Sequence, residues 1–194
     1  MLKQYQHIQV AVDGSKEADV AFSKAVEVAK RNGATLEILH VVDTRAFQDV
    51  SSFDSAMVEQ VSEEAKTKIE EYYNRAKDAG VKDVHYSIEF GSPKNIIAHE
   101  FPEEHNIDLI ILGATGLNAV ERLLIGSITE YVTRTAACDV LVIRQPAAQN
   151  EDIKKNRKNS EQKNTSSFLM RYFFILLKVS SGTKNIIFMV PLHR

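Results

Sequence analysis

The chain has 194 residues, 44% hydrophobic and 26% charged, which is ordinary for a soluble globular protein and excludes collagen-like, mucin-like and wholly disordered classes. A single cysteine, Cys138, excludes an intramolecular disulfide, a CxxC redox pair and a cysteine-built zinc site. The net charge of −2 conceals an asymmetry: residues 1–146 hold 15 Lys+Arg against 23 Asp+Glu, net −8, whereas 147–194 hold 9 against 3, net +6. An acidic body repels phosphate backbones, so nucleic acid is not an expected partner. The start, MLKQYQHIQVAVDGS, lacks the apolar core of a signal peptide, and no run approaches the roughly 18 apolar residues of a membrane span, so a cytosolic location is expected.

Apolar runs alternate with amphipathic stretches along residues 1–146. The first strand is His7 to Asp13, rich in β-branched residues and closed by Asp13-Gly14-Ser15. Ser15 or Asp13 can cap a helix from about Lys16 to Arg31, whose Ala18, Ala21, Phe22, Ala25, Val26 and Ala29 share one face. Asn32-Gly33 ends it. The second strand, Thr35 to Val42, leads through a polar stretch into a long helix that stops at Gly80. The third, Val84 to Phe90, alternates polar and apolar residues as an edge strand does.

Ser92 and Pro93 suit the N-cap and first position of a helix running to about Glu104. Ile107 to Leu112 has one polar residue, as expected for a strand buried on both faces. A glycine-containing loop, a helix from about Ser127 to Ala136 and a last strand from Val140 to Arg144 complete the pattern. Five strands joined by helical connections predict an open, doubly wound, mainly parallel α/β sheet with helices on both faces, Rossmann-like in outline. Ligands in such sheets bind beyond the carboxyl ends of the strands, which directs attention to Asp13, Gly14, Val42, Asp43, Gly91, Ser92 and residues 113–126.

Three of eight glycines fall at 113, 116 and 126, and Ser127 follows the last, giving G-x2-G-x9-G-S. The first pair follows the most apolar strand, where a missing Cβ lets backbone N–H groups approach a ligand. Gly126-Ser127 opens a helix, whose free N–H groups and dipole favour an anion by roughly 0.3–1 kcal/mol. Together they make a phosphate cradle. Neither a Walker loop nor a GxGxxG fingerprint is present, which disfavours a flavin or nicotinamide domain. A lone glycine pair more often serves a turn than a ligand.

At these residues the chain resembles the universal stress protein family, in its nucleotide-binding branch, whose signature is G-x2-G-x9-G-[ST] after the fourth strand. The similarity extends over about residues 5–145, through Val-Ala-Val-Asp-Gly-Ser, Leu-His-Val-Val-Asp, Phe-Gly-Ser-Pro and Cys-Asp-Val-Leu-Val-Ile-Arg. The resemblance implies a dimerising cytosolic ATP-binding protein induced under stress. By that resemblance Asp13 faces the ribose or a magnesium ion, Val41 offers its backbone to adenine, and Gly113 and Gly116 wrap the phosphates. Gly126, Ser127 and Ile128 hold the phosphate tail, and Ala11 and Leu112 flank the pocket. Read without the family, Asp13 is as readily a cap or turn residue, and Val41 a plain strand residue.

The remaining candidates are structural. His40 sits in an apolar strand and is read as packed and hydrogen-bonded; His99 and His105 have no partners at metal spacing; Cys138 has no nearby group to activate it. Glu63, Glu64, Glu70, Glu71, Lys66, Lys68 and Lys77 read as the solvated side of the long helix. Arg122 can reach a terminal phosphate, yet Glu121 pairs with it as plausibly, so binding with slow or no hydrolysis is expected. The second function class is a homodimeric interaction module with an empty pocket, pairing through an exposed apolar edge at 140–144.

Residues 147–194 form a separate, basic and poorly structured tail. Residues 147–167 read as a disordered linker, and the apolar runs 168–179 and 186–190 are too short to span a bilayer. An unstructured appendage or non-selected sequence is favoured over an anchor at a lipid surface, and an unidentified protein partner stays open.

Overall fold

The computed structural model describes residues 4–47, 55–116, 125–144, 172–177 and 186–191. In chain order the elements are β1 (His7–Ala11), α1 (Lys16–Asn32), β2 (Thr35–Asp43), α2 (Ser55–Asp78), β3 (Val84–Gly91), α3 (Pro93–Asn95), a π turn (Ile96–Glu100) and α4 (Phe101–Glu104). They continue with β4 (Leu109–Gly113), α5 (Ser127–Thr135), β5 (Asp139–Ile143), β6 (Tyr172–Leu177) and β7 (Ile186–Pro191). β3, β2, β1, β4 and β5 lie side by side and parallel. This is the predicted five-stranded, doubly wound sheet.

Strand alternation sorts the core into two layers. Ile8, Val10, Leu36, Ile38, Leu109 and Ile111 face α1 and α2, packing on Phe22, Ala25, Ile69 and Tyr72. On the other face Leu39, Ile110, Leu112, Val140 and Val142 meet Ile97, Phe101 and Val132. Ser15 caps α1, its hydroxyl accepting from the Ala18 N–H at 3.1 Å, and Gly33 ends the helix in the left-handed region at φ 65°. β3 is the outer strand at its end of the sheet, with His85, Tyr86 and Phe90 exposed, as its alternation predicts.

The helix expected over 93–104 forms with a π turn at its centre, and Pro102 explains its position. Lacking an N–H, Pro102 cannot satisfy the carbonyl a turn behind it. The buried Gln9 side chain takes that role, its Nε2 donating to the Ile97 carbonyl at 3.2 Å. The Oε1 of Gln9 is buried with no hydrogen-bond partner.

Tyr5 ties the chain start to β5. Its hydroxyl donates to Asp139 Oδ2 at 3.1 Å, and Asp139 is almost wholly buried. Burial first, and then the Asp139 carboxylate, push the phenol well above its ordinary range. A raised folded-state value keeps this contribution intact below pH about 10, where the unfolded phenol ionises, and removes it as pH climbs further. Tyr5→Phe is therefore expected to cost about 1 kcal/mol at neutral pH. It should also flatten the alkaline fall in stability above pH about 10. Denaturant unfolding at several pH values checks both.

Within 147–194 the structure describes residues 172–177 and 186–191. Two stretches of this region are strands: β7 pairs in parallel with β5, and β6 pairs antiparallel with β7, extending the sheet to seven strands in the order β3-β2-β1-β4-β5-β7-β6. The 140–144 strand is consequently not a free edge. The linker reading of 147–167 lies outside the described residues.

Candidate functional site

Strand order reverses between β1 and β4, and the loops leaving these two strands meet at their carboxyl ends. After β1 the chain turns through Asp13, whose Oδ1 accepts from the Ser15 N–H at 2.9 Å, with Gly14 in the left-handed region at φ 82°. Asp13 thus makes the turn while Ser15 makes the cap. This resolves the choice between the two residues.

After β4 the chain passes Gly113, Ala114, Thr115 and Gly116. A Cβ on Gly113 would lie 3.0 Å from the backbone carbon of Glu17 and 3.1 Å from its carbonyl oxygen, so the first turn of α1 rests directly on β4 here. A Cβ on Gly116 would lie 2.6 Å from Asp13 Oδ2, which puts that glycine against the carboxylate. Gly126 closes the ring: its N–H donates to the Ala114 carbonyl at 2.7 Å, and its Cβ position stands 3.4 Å from Thr115 Cα. Three glycines within a span of fourteen residues thereby come together beside the start of α1 and the loop after β1.

Gly126 is also the N-cap of α5 and supplies no side-chain cap, and the first two helical residues, Ser127 and Ile128, are exposed. Helix geometry leaves the first N–H groups of α5 without intrahelical partners. Thr129 fixes this end, its buried hydroxyl donating to the Gly113 carbonyl at 2.8 Å. Sequence reasoning did not single out Thr129. A Thr at the third helical position is common, and its partner is set only by the packing of α5 on β4.

Ala11, Val41 and Leu112 lie near the carboxyl ends of β1, β2 and β4 and pack with the same core layer, that of Leu39 and Val142. Ala11 pairs with Leu39, and Val41 is two residues beyond, so the three flank one end of the sheet. His40 is a structural residue, as expected: its Nδ1 is 2.8 Å from the Val12 carbonyl. Asp43, at the end of β2, is held below the usual carboxylate range chiefly by hydrogen bonds from Arg45, at 2.7 and 2.8 Å. Glu121 and Arg122 lie outside the described residues.

Among the described residues no group of three metal-ligating side chains occurs. Asp13 alone suits magnesium only in the usual nucleotide manner, one carboxylate with the remaining ligands from phosphates and water. The described helices include none long and apolar enough to cross a membrane. A concavity of about 400 Å³ opens between α1 and α2, lined by Gly14 and Ser15 of the loop after β1 and by Lys16, Lys68, Glu71 and Arg75. Arg75 pairs there with Asp19 at 2.6 Å and lies over the Phe22 ring at 4.9 Å. Lys68 and Glu71, read from sequence as part of the solvated side of the long helix, are exposed and border this hollow.

The family model of universal stress proteins matches residues 4–144 of this chain. The chain belongs to the universal stress protein family. A Staphylococcus aureus (strain USA300) protein named as a universal stress protein is 48% identical over 140 residues, covering 72% of this chain and 84% of that protein. Among solved structures, universal stress protein UspA from Lactobacillus plantarum is 35% identical with a TM-score of 0.62, covering 74% of this chain and all of that one. A universal stress protein in complex with cAMP is 28% identical with a TM-score of 0.57, over 72% of this chain and 97% of its own. Residues 145–194 of this universal stress protein lie beyond the family match.

Proposed function

We propose that this universal stress protein is an ATP-binding sensor of the cytoplasmic stress response that holds nucleotide with slow or no hydrolysis. The observation that carries the reading is the close approach of Gly116 to Asp13: a Cβ there would stand 2.6 Å from the carboxylate oxygen, so at the reversal of strand order a glycine loop packs against the turn after β1, where backbone N–H groups can approach an anion. Gly113 and Gly116 are the residues that approach the phosphates, and the N-terminus of α5 at Gly126, Ser127 and Ile128 supplies further N–H donors. Asp13 would contact the ribose or a magnesium ion bridging to phosphate. Ala11, Val41 and Leu112 would bound the adenine. The universal stress protein solved with cAMP supports an adenine nucleotide as the ligand class.

Backbone donors orient phosphates and partly offset their charge, while the Asp13 carboxylate would act through the ribose or a bridging magnesium ion, a combination that supports storage of ATP over its turnover. Nucleotide occupancy then alters the surface that a protein partner meets at this end of the sheet. Thermal unfolding of the full chain tests the binding step. ATP with magnesium at about 100 times its dissociation constant should add about 2.7 kcal/mol, a rise of several degrees in Tm. No change at millimolar ATP would contradict it. Phosphate release by the same sample, at or below about one turnover per hour, separates holding from hydrolysis.

A further inference from the structure

Helix α5 contains three threonines, and their hydroxyls go to different places. Those of Thr133 and Thr135 donate back to carbonyls of their own helix, of Glu130 at 2.8 Å and of Tyr131 at 2.9 Å, as helical hydroxyls commonly do. The Thr129 hydroxyl instead leaves the helix and donates to the Gly113 carbonyl at the end of β4, at 2.8 Å, in a buried position. That carbonyl lies past the last rung between β1 and β4, which sets Val10 opposite Ile111.

A second bond stands beside it. The Gly126 N–H donates to the Ala114 carbonyl at 2.7 Å, so two consecutive carbonyls at the exit of β4 receive the entry of α5. One bond at Gly126 would act as a pivot; with Thr129, about one turn further along, the roll of the helix is fixed as well. That roll aims the helix's spare donors. The N–H of Glu130 bonds back to the Gly126 carbonyl at 2.8 Å, and the N–H groups of Ser127 and Ile128 come before it, with no side-chain cap from Gly126. Hydrogen bonds weaken steeply as their angle departs from linear, so turning α5 would spoil what these two groups can donate to.

We propose, on the nucleotide reading of this site, that Thr129 is the positioning residue of the phosphate cradle. Its hydroxyl is spent on Gly113, so it acts through its neighbours: it holds α5 at the roll that points the Ser127 and Ile128 N–H groups at the nucleotide phosphates. The same bond ties the first glycine of the motif to the helix that follows the last one, so that both halves of the cradle keep one geometry.

Full-length wild type, Thr129→Val, Thr129→Ser and Thr133→Val are compared by titration calorimetry with ATP and magnesium, and each is unfolded in urea without nucleotide. Thr129→Val keeps the branched shape and removes the hydroxyl, and its ATP affinity should fall about tenfold. Thr129→Ser keeps the hydroxyl, and Thr133→Val removes one that serves only its own helix, so both should stay within about twofold of wild type. Thr129→Ala takes the place of the valine variant if urea unfolding shows that the latter is not folded. Unchanged ATP affinity in Thr129→Val would overturn the proposal and leave the nucleotide reading standing. So would equal losses in Thr129→Val and Thr133→Val, because general loosening of α5 would then be the cause, or a serine variant that binds no better than the valine one. A wild-type chain that binds no ATP at millimolar concentration would overturn the nucleotide reading itself, and the role of Thr129 with it.

Discussion

Gly113→Ala is expected to destabilise the fold by about 1–3 kcal/mol, and Gly113→Val by more. The backbone at 113 is not in the left-handed region, so the cost is one of space alone. The added carbon meets main-chain atoms of Glu17 at 3.0 and 3.1 Å, and these cannot swing aside as a side-chain tip can. Relief requires α1 to move off β4, and α1 carries Phe22, Ala25 and Ala29 into the core. In a chain of this size, each kcal/mol lowers Tm by about 2–4 °C. Thermal and urea unfolding of the two variants against wild type check the order Gly, Ala, Val. A Gly113→Val protein as stable as wild type would show that α1 does not rest on β4.

Gly116 is expected to behave in the opposite way. Its Cβ position meets only Asp13 Oδ2 and, at 3.8 Å, Asp13 Cγ, the far end of a short side chain that can rotate. Gly116→Ala should therefore change stability by no more than about 0.5 kcal/mol while displacing the carboxylate. Gly116→Glu adds a negative charge to the proposed phosphate cradle, where each 1.4 kcal/mol of repulsion is a tenfold loss of affinity. A fall of 100-fold or more in ATP affinity is expected for Gly116→Glu, and about tenfold for Gly116→Ala. Titration calorimetry on both proteins reads this directly. Unaltered ATP affinity in Gly116→Glu would place the nucleotide elsewhere.

The difference between these glycines shows what the sequence could and could not carry. Their spacing, and the Ser127 that follows Gly126, were legible because a motif is a one-dimensional pattern. Why each is glycine was not, because Gly113 answers to a helix packed across its strand and Gly116 to a strand-end residue about a hundred positions earlier. Both reasons depend on β1 lying beside β4. The strands themselves were legible to within two residues because the alternation in 84–90 and the apolar run in 107–112 report burial on one face or on two. The π turn was not. It arises where Pro102 withholds an N–H and Gln9, from a strand nearly ninety residues away, supplies the donor.

The hairpin marks the clearest departure. Residues 172–177 and 186–191 were set aside because they were too short for a bilayer, yet six apolar residues is the ordinary length of a buried strand. The signal was present in length and composition. What sequence alone lacked was a vacant place in the sheet, which exists only once β5 is known to end the parallel set of five. The hollow between α1 and α2 was hidden for a related reason, since its lining from Lys16 to Arg75 is set by how two helices pack.

The site of nucleotide binding can be located by amide chemical-shift mapping of the full chain during titration with ATP and magnesium. The largest changes are predicted at Asp13 and at residues 113–116 and 126–128, saturating together with one dissociation constant and absent from Gly116→Glu. Changes confined to Lys16, Lys68 and Arg75 around the α1–α2 hollow, persisting in Gly116→Glu, would contradict the assignment of the glycine cradle as the site.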